Sequence, residues 1–537
     1  RRGMRGAAQG LLRGAPVNAR ARELMNRLHE SIQLWGAVLH QRCKPVPGKP
    51  DCAYYGDAGH QENDIRPIAY AALVNAFLAV TEPPGGGLSA RDRRRAADEC
   101  SRVLRYLAQG HVTGQGACEN GKQWGDQWQS AFWARSAVLA GWIVWTDLDP
   151  DLKAGLCRIL VHEADRFLQQ PPKSSLRNDT GAEENAWNAQ MLSLASQMMP
   201  THPRAAQWDR AAKLYCYNSL SVAADHASTR LGDDNRPVRE WVTTTNAHSD
   251  FTVENHGIVH VGYLKTTLSI LLENALPYLL TGKPVPRACL HHVPEGFAVL
   301  VRCMAWDAAP IYFSGNDWKL THTQATDAMS YSLLSLLLQD RQAAYLEQVG
   351  LDYLLRIQKQ EHGYYNVRRD LESSGNCATR LIAAYLAHAV LGEGAEPLSL
   401  AEFDRSITGT CYLPQGRTIL HRTPSKFASF TWSQKRMALT FPQDGNWILW
   451  PHFSSGPGLI NGQDASSRYA ALRGFTHQAT SNSFTASGVL DRHKSAVQQA
   501  FFFTSLPGDL TVYIERLQTK KDITLRSRET GVIGLEY

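Results

Sequence analysis

The feature of this sequence that most constrains its fold is a series of segments with helical hydrophobic periodicity between about residues 18 and 393. Apolar residues recur in them at three- and four-residue spacing, as in Leu333, Leu334, Leu336 and Leu337. The segments cover 19–41, 67–80, 90–109, 129–145, 151–169, 183–198, 203–224, 258–280, 295–304, 327–339, 343–358 and 378–391. About twelve helices joined as antiparallel pairs pack most economically as a ring or solenoid.

After about residue 394 the periodicity changes to short runs rich in β-branched and aromatic residues. Examples are 418–422, 427–432 and 510–514, separated by Gly, Pro, Asp and Asn. We therefore predict two domains, a helical domain over 1–393 and an antiparallel β-domain over 394–537. The strand pattern reaches Tyr537 without a closing signal, so the sheet is expected to be incomplete at that end.

Length and composition indicate a folded protein with more than one domain. Of its 537 residues 43% are hydrophobic and 20% charged, and no stretch approaches the roughly 20 apolar residues that span a bilayer. Residues 1–22 hold six arginines and no acid, without the apolar core of a secretion signal. The net charge is +6, with cations spread among acids, which does not indicate a nucleic-acid surface but suits an anionic substrate. The ten cysteines include no CxxC pair, so a zinc cluster is not supported.

Long polar loops separate alternate helical segments, over 110–128, 171–187, 225–257 and 306–326. Each is rich in Trp, Asn, Asp or His, and loops of this length in a compact domain are usually functional. If the helices form a toroid, these loops meet at one end and line a cleft, where we expect the functional site.

The segment 249–263, SDFTVENHGIVHVGY, is the most informative of these loops. The apolar run 258–280 predicts a helix with Asn255 and His256 in its first turn. His256 and His260 are four residues apart and Tyr263 follows three later, so these side chains are expected to share a helix face. An amide, two imidazoles and a phenol can bind a carboxylate and transfer protons. The alternative is that Asn255 caps the helix and the histidines bond to neighbouring loops.

Tryptophans in two loops are candidates for stacking on sugar rings. Trp124 and Trp128 lie four apart at a predicted helix start, and Asn316 and Trp318 lie in the loop before another helix. Most tryptophans fill protein cores, so a binding role has to be weighed against simple burial.

The segment 180–190 opens a further helix. Thr180 and Glu183 have the spacing of a capping box, which accounts for both structurally. It does not account for Asn185, Trp187 and Asn188, and an aromatic ring between two amides is suited to binding a sugar carboxylate.

Two more candidates follow in the chain. Tyr331 is predicted in the first turn of a helix, where its phenol could project into the cleft. Tyr365 and Arg368 lie in a loop that pairs phenols with guanidinium groups, and an arginine there could clamp a carboxylate through two hydrogen bonds. An ion pair with Asp370 or Glu372 is the alternative role of such an arginine.

These segments resemble the α/α-toroid polysaccharide lyases, the group containing heparinase II/III-like enzymes and alginate lyases. Asn255-His256-Gly257 is similar to the family's Asn-His pair, the 183–190 segment resembles its Asn/Trp helix start, and Tyr331 resembles its helix-start tyrosine. A second alignment of 250–263 places the catalytic phenol just downstream, at Tyr263. The resemblance implies an incomplete (α/α) toroid of antiparallel helix pairs followed by an antiparallel β-sandwich, in a periplasmic or secreted protein.

The resemblance also implies a carbon–oxygen lyase that cleaves a uronic-acid-containing polysaccharide or oligosaccharide by β-elimination. A base removes the C5 proton, amides stabilise the enolate, and an acid protonates the C4 oxygen. We assign His256 as the base and Tyr331 as the acid, with Tyr263 as its substitute. Asn255, with Asn188 or an arginine, would donate to the carboxylate, and no cofactor or metal is required. The family's β-domain often adds a histidine, for which the candidates are His421, His452 and His477.

Three other functions are compatible with these residues. A glycoside hydrolase on the same scaffold needs two carboxyl groups, which are available among Asp126, Glu183, Glu184, Asp250, Glu254 and Asp317. A metal hydrolase could use His256 and His260, but Gly257 stands where the zinc protease motif has glutamate. A non-catalytic carbohydrate-binding protein would need only the tryptophans. The specific polysaccharide, the mode of attack and the oligomeric state are left open.

Overall fold

The structure is a computed structural model that describes residues 18–82, 87–315, 328–434, 436–443, 471–492 and 495–520, with the short pieces 456–457, 459–460, 463–464, 522 and 528–529. Its helices are α1 (Ala19–His40), α2 (Glu62–Val80), α3 (Ala90–Gly110), α4 (Ser130–Ile143), α5 (Pro150–Asp165), α6 (Ala182–Met198), α7 (Ala205–Tyr217), α8 (Val261–Glu273), α9 (Leu276–Leu280), α10 (Val293–Leu300), α11 (Ala328–Leu338), α12 (Arg341–Gln360), α13 (Leu371–Leu391) and α14 (Leu400–Ile407). Among these, none is long and apolar enough to cross a membrane.

Alternate helices form the inner ring of a toroid. Helices α2, α4, α6, α8, α11 and α13 each pack against the next, and α13 packs against α2. Their sequences suit this position, since in α2 every residue from Pro67 to Leu78 is buried, as a helix that is apolar all round requires. The outer helices are amphipathic, and α3 buries Val103, Leu104 and Leu107 while its arginines remain at least partly exposed. The predicted (α/α) toroid is thus confirmed.

The inner helices all begin at the same end of the toroid, because each outer helix returns the chain to that end. Arg66 in α2 illustrates this arrangement. Its guanidinium donates to Glu372 in the first turn of α13 at 2.8 Å and to Gln129, which precedes α4. The loops before the inner helices therefore meet at one rim, as the loop lengths predicted.

The C-terminal strands form two antiparallel sheets that pack face to face. One sheet contains β5 (Gly409–Leu413), β6 (Thr418–Arg422), β7 (Lys426–Thr431) and β8 (Met437–Pro442). The other contains β12 (Ala471–Thr480), β13 (Ser483–Arg492), β14 (Val497–Ser505) and β15 (Thr511–Thr519). The remaining described strands are short: β1 (Lys44–Val46), β2 (Lys49–Tyr54), β3 (Glu254–Asn255), β4 (Ile258–Val259), β9 (Gly456–Pro457), β10 (Leu459–Ile460), β11 (Gln463–Asp464) and β16 (Arg528–Glu529).

Aromatic rings join the two sheets into a sandwich. The Phe430 ring of β7 lies 5.8 Å from Phe475 of β12 and 5.1 Å from Phe501 of β14, measured between centroids. With Ile419, Leu490 and other apolar residues they form a second core, separate from that of the toroid. The predicted antiparallel β-sandwich is confirmed.

The sandwich docks against the rim beside α8. Gln434 Nε2 donates to the Glu254 carboxylate at 2.7 Å, and the backbone N–H groups of Gln415 and Gly416 donate to Asp250 at 2.7 and 2.9 Å. The segment that sequence analysis singled out therefore lies where the two domains meet, which is a common location for ligand sites.

Candidate active site

A tight β-hairpin carries Asn255 and His256. Strands β3 and β4 pair with Asn255 opposite Ile258, and the two turn residues, His256 and Gly257, have φ angles of 50° and 71°. Two successive positive φ values are those of a type I′ turn, which fits the twist of a two-residue hairpin. The prediction that Asn255 and His256 lie in the first turn of a helix is therefore wrong.

Contacts with a neighbouring loop explain why this segment is a hairpin. The Thr180 N–H donates to the Glu254 carbonyl at 2.8 Å, and the Gly257 N–H donates to the Asn178 carbonyl at 2.9 Å. The Glu254 carboxylate also accepts from the Asn178 N–H and lies 3.0 Å from His248 Nε2. These bonds satisfy backbone groups that a longer α8 would have used, so tertiary contacts override the helical periodicity.

The turn has a testable weak point at Gly257. A Cβ atom there would meet no other atom within 4 Å, so Gly257→Ala is expected to destabilise the hairpin only through its positive φ, by about 1–2 kcal/mol. Urea unfolding measures the change. Gly257→Asn is the control and should cost less, because asparagine tolerates this backbone region better. Equal costs for both variants would contradict the argument.

His260 caps helix α8, which begins after it. Its buried Nδ1 accepts from the Tyr263 N–H at 3.3 Å, so the imidazole satisfies a backbone group at the helix start. The expected role of His260 in substrate binding is not supported by this position. Because His256 lies in the turn and not on α8, the His-x-x-x-His spacing also loses its meaning as a pair of metal ligands on one helix face.

His256 and Tyr263 form an accessible imidazole–phenol pair. The Tyr263 hydroxyl lies 3.2 Å from His256 Nε2, and the rings meet edge to face with centroids 5.3 Å apart. His256 is exposed and Tyr263 is half-buried. The pair can exchange a proton and still reach a ligand at the rim, which is the geometry that acid–base chemistry requires.

Asn255 is buried next to this pair and contacts Glu183. Asn255 Nδ2 donates to Glu183 Oε1 at 3.3 Å, while Asn255 Oδ1 and Glu183 Oε2 are buried without a hydrogen-bond partner among the described residues. Burial raises the pKa of Glu183 to about 8. The capping box predicted for Thr180 and Glu183 is wrong: the N-cap is Gly181, and the Thr180 hydroxyl donates to the Asn246 carbonyl at 2.6 Å.

Two tryptophans lie beside this group and present an aromatic surface. Trp187 is one helical turn after Glu183 on the same face of α6, and its ring lies 5.2 Å from that of Trp128. Trp128 has 58% of its surface exposed, which is unusual for tryptophan and suits stacking on a sugar ring. Asn188 is half-buried on the same helix, and its Oδ1 has no hydrogen-bond partner in the part of the chain that the structure describes.

Four of the predicted site residues lie in the protein interior instead. Trp124 is fully buried and its Nε1 donates to the Leu107 carbonyl, because the loop 111–124 folds back on itself. Asn185 is buried and braces the backbone of Lys173 and Asn218. Their predicted contacts with substrate are not supported by these positions.

Tyr331 and Tyr365 are the other two predicted site residues that lie in the protein interior. The Tyr331 hydroxyl donates to the Ala308 carbonyl at 3.0 Å in the core, and the Tyr365 hydroxyl donates to the Ser31 carbonyl at 3.0 Å. Each phenol satisfies a buried carbonyl group, so neither projects into the cleft. The assignment of Tyr331 as the acid is therefore corrected in favour of its substitute, Tyr263.

The remaining candidates are scattered. Arg368 is exposed in the loop before α13, which is two positions round the inner ring from α8. Asn316, Trp318 and His452 lie outside the described residues. His421 is buried against Ser505, and His477 packs against Trp432 with ring centroids 4.9 Å apart.

Among the described residues one group could hold a metal ion: Asp225, His291 and His292. The Asp225 carboxylate lies 3.4 Å from His291 Nε2 and 2.9 Å from His292 Nε2. Arg230 donates to His291 Nδ1 at 3.0 Å, so a neutral His291 carries its proton on Nε2 and donates it to Asp225. This hydrogen-bond pattern occupies the nitrogen that a metal would need.

Comparisons with known proteins support the fold. No family model matches the sequence, and no curated protein matches it. Among solved structures, a xanthan lyase from Paenibacillus is similar over 94% of this chain and 46% of its own, with a TM-score of 0.55 and 11% identity. A chondroitin AC lyase from Streptomyces coelicolor A3 is similar over 94% of this chain and 68% of its own, with a TM-score of 0.49 and 13% identity.

A heparan sulfate lyase from Pedobacter heparinus is also similar, over 95% of this chain and 70% of its own, with a TM-score of 0.44 and 10% identity. This chain spans less than half the length of the xanthan lyase. At such identities the likeness concerns the fold. The likeness to the xanthan lyase agrees with the helical toroid and the β-domain described above.

Proposed function

We propose that this protein is a polysaccharide lyase that cleaves a uronic-acid-containing polysaccharide or oligosaccharide by β-elimination and leaves an unsaturated uronate end. The observation that carries the proposal is the contact between His256 and Tyr263 beside the Asn255 amide. A base, an acid and a carboxylate-binding amide are the three groups that this elimination needs. The lyase fold agrees with the same chemistry.

Each group has a task in the proposed reaction. His256 removes the proton from C5 of the uronate, and the pair of electrons moves toward the carboxylate as an enolate. The C4–O bond then breaks with formation of the C4–C5 double bond, and Tyr263 gives its proton to the departing oxygen. The 3.2 Å contact lets the proton on His256 Nε2 return to the Tyr263 oxygen, which restores both groups.

Neutralising the substrate carboxylate lowers the barrier to the first step. The C5 proton is very weakly acidic, and preorganised hydrogen-bond donors to an enolate typically contribute several kcal/mol. We assign Asn255 and Asn188 as the donating amides, since Asn255 precedes His256 in the hairpin and Asn188 is half-buried on α6. Trp128 and Trp187 would hold a neighbouring sugar by stacking, since an aromatic face matches the apolar face of a pyranose ring.

The direct test is the ultraviolet absorbance of a conjugated C4–C5 double bond during incubation with a panel of uronate polymers and oligomers. We expect absorbance to rise with the native protein and not with His256→Asn. Asparagine is the best replacement here because Asn-Gly is a preferred type I′ turn, so the hairpin is kept while the imidazole is lost. Gln127→Ala, a change in the loop before α4, serves as a control for general damage to the rim.

The other outcomes identify the alternatives. New reducing ends without absorbance would indicate a glycoside hydrolase, for which Glu183 with its raised pKa would be the acid to examine. Binding of the polymer without any product would indicate a carbohydrate-binding protein that uses Trp128 and Trp187. Either result would contradict the lyase proposal.

A further inference from the structure

Glu183 stands out among the buried groups because its carboxyl has so few partners. Its side chain is buried, Oε2 has no hydrogen-bond partner among the described residues, and Oε1 accepts from Asn255 Nδ2 at 3.3 Å. An ionised carboxylate in such a place is unfavourable unless a cation pairs with it. The groups that contact Glu183 therefore determine whether its carboxyl is protonated or ionised.

Burial is the main cause that disfavours ionisation of Glu183; the neighbouring acids Glu184 and Asp179 act in the same direction, and Lys173 opposes them. Glu184 follows it on α6, and Lys173 and Asp179 lie in the loop before α6. Lys173 Nζ is already shared between Glu184 at 2.7 Å and Asp179 at 3.1 Å. On the hairpin, Glu254 is bonded to His248, and His256 is exposed and faces Tyr263. Because Lys173 is engaged by two acids, it offsets the burial of Glu183 only in part, in agreement with the raised pKa of about 8.

The side-chain amide of Asn255 contains a buried acceptor next to this carboxyl. Its Oδ1 is buried and has no hydrogen-bond partner, although an amide oxygen accepts readily. Rotation of the amide by half a turn about Cβ–Cγ exchanges oxygen and nitrogen with almost no change in shape. After that exchange a protonated Glu183 donates to the oxygen, and the NH₂ group occupies the position that lacks a partner.

We propose that Glu183 is a positioning residue that works as a neutral acid: its O–H donates to the Asn255 amide oxygen and so presents the Asn255 NH₂ group to the substrate carboxylate. This inference rests on the proposed lyase function. When Glu183 loses its proton, its carboxylate attracts the NH₂ group to itself, and the substrate carboxylate then meets an amide oxygen that repels it. Activity is therefore expected to fall as Glu183 ionises.

The test compares Glu183→Gln with Glu184→Gln as the matched control. Glutamine keeps the shape and can donate its NH₂ to the Asn255 oxygen, so Glu183→Gln is expected to retain activity at neutral pH within a few-fold. The native protein and Glu184→Gln should lose kcat/KM as pH rises through about 8, while Glu183→Gln should keep it into more alkaline solution. Glu183→Leu, which cannot donate, should lose activity at every pH, mainly in kcat/KM.

A second measurement does not depend on activity. If a carboxyl stays protonated in the folded state but ionises in the unfolded state, the folded protein becomes less stable relative to the unfolded chain as pH rises between the two pKa values. From about pH 4.5 to about pH 8, the unfolding equilibrium constant of the native protein should therefore rise about tenfold per pH unit relative to that of Glu183→Gln. Chemical denaturation of both proteins across this range measures the ratio.

The two measurements separate the failure of this inference from the failure of the proposed function. If the ratio of unfolding constants changes with pH as expected but no uronate polymer yields an unsaturated product, Glu183 is neutral in the fold and the lyase function is wrong. If the lyase is active but the ratio is constant and the alkaline loss of activity is the same in Glu183→Gln, the positioning role of Glu183 is overturned.

Discussion

Tyr263→Phe is expected to lower kcat for the proposed elimination by roughly 100- to 10,000-fold, the usual contribution of a positioned general acid. The change removes the hydroxyl that lies 3.2 Å from His256 Nε2 and leaves the half-buried ring in place. Substrate binding and thermal stability should therefore change little. Initial rates from the absorbance of the unsaturated product, with KM determined in parallel, measure the effect.

Tyr331→Phe is the matched control, because it removes a phenol of the same chemistry from the protein core. Its hydroxyl donates to the Ala308 carbonyl, so its loss should cost about 1–3 kcal/mol of unfolding free energy through an unsatisfied carbonyl. Its kcat should be close to that of the native protein at temperatures where the variant is folded. A large loss of kcat in Tyr331→Phe with normal activity in Tyr263→Phe would restore Tyr331 as the acid.

A change of leaving group tests whether Tyr263 acts as the acid or the base. A substrate whose C4 substituent leaves as fluoride needs no proton at that step. If Tyr263 is the acid, Tyr263→Phe should recover most of its lost rate with this substrate, while His256→Asn should remain inactive. If neither variant regains activity with this substrate, Tyr263 also removes the C5 proton.

Arg135→Met is expected to lower the free energy of unfolding by about 3–5 kcal/mol, since it leaves a buried carboxylate without its cation. Arg135 on α4 forms an ion pair with Glu273 on α8 at 2.6 Å, and the two side chains are only 6% and 5% exposed. Gln190 on α6 donates to the same carboxylate at 2.6 Å. The network thus joins the three neighbouring inner helices α4, α6 and α8.

The double variant Arg135→Met/Glu273→Met distinguishes a lost charge partner from lost packing. It should recover most of the stability, because apolar side chains of similar size can replace a buried ion pair at little cost. Arg236→Met, which breaks a partly exposed pair with Glu240, is the surface control and should change stability little. Urea unfolding of the four proteins measures the effects. A double variant as unstable as Arg135→Met would contradict the electrostatic explanation.

Much of the architecture could be predicted because it depends on local periodicity. The apolar spacing in segments such as 183–198 depends only on which helix faces are buried, and the structure has α6 there as Ala182–Met198. The alternation of long polar loops indicated one functional rim for the same reason, since helices joined in antiparallel pairs return to the same end. The change to β-branched and aromatic runs likewise predicted an antiparallel β-domain, while the sandwich was implied by the resemblance to the lyase family.

The site required contacts between residues far apart in sequence. Glu183 matched a capping box with Thr180, but its partner is Asn255, 72 residues later, and no local pattern indicates that pairing. Tyr331 was the predicted acid and Tyr263 its substitute until the structure placed Tyr331 against the Ala308 carbonyl and Tyr263 against His256.

The residue types available for acid–base chemistry, the paired helices and the antiparallel β-domain are therefore determined by the sequence itself, through hydrophobic periodicity and composition. Which of those residues meet is decided by the tertiary structure. The segment 254–259 shows the physical reason: the apolar run that begins at Ile258 favours a helix, but the Thr180 N–H donates to the Glu254 carbonyl and the Gly257 N–H donates to the Asn178 carbonyl, and these bonds stabilise a hairpin instead. That hairpin brings His256 to Tyr263, because long-range backbone pairing outweighs a local preference of a few tenths of a kcal/mol per residue.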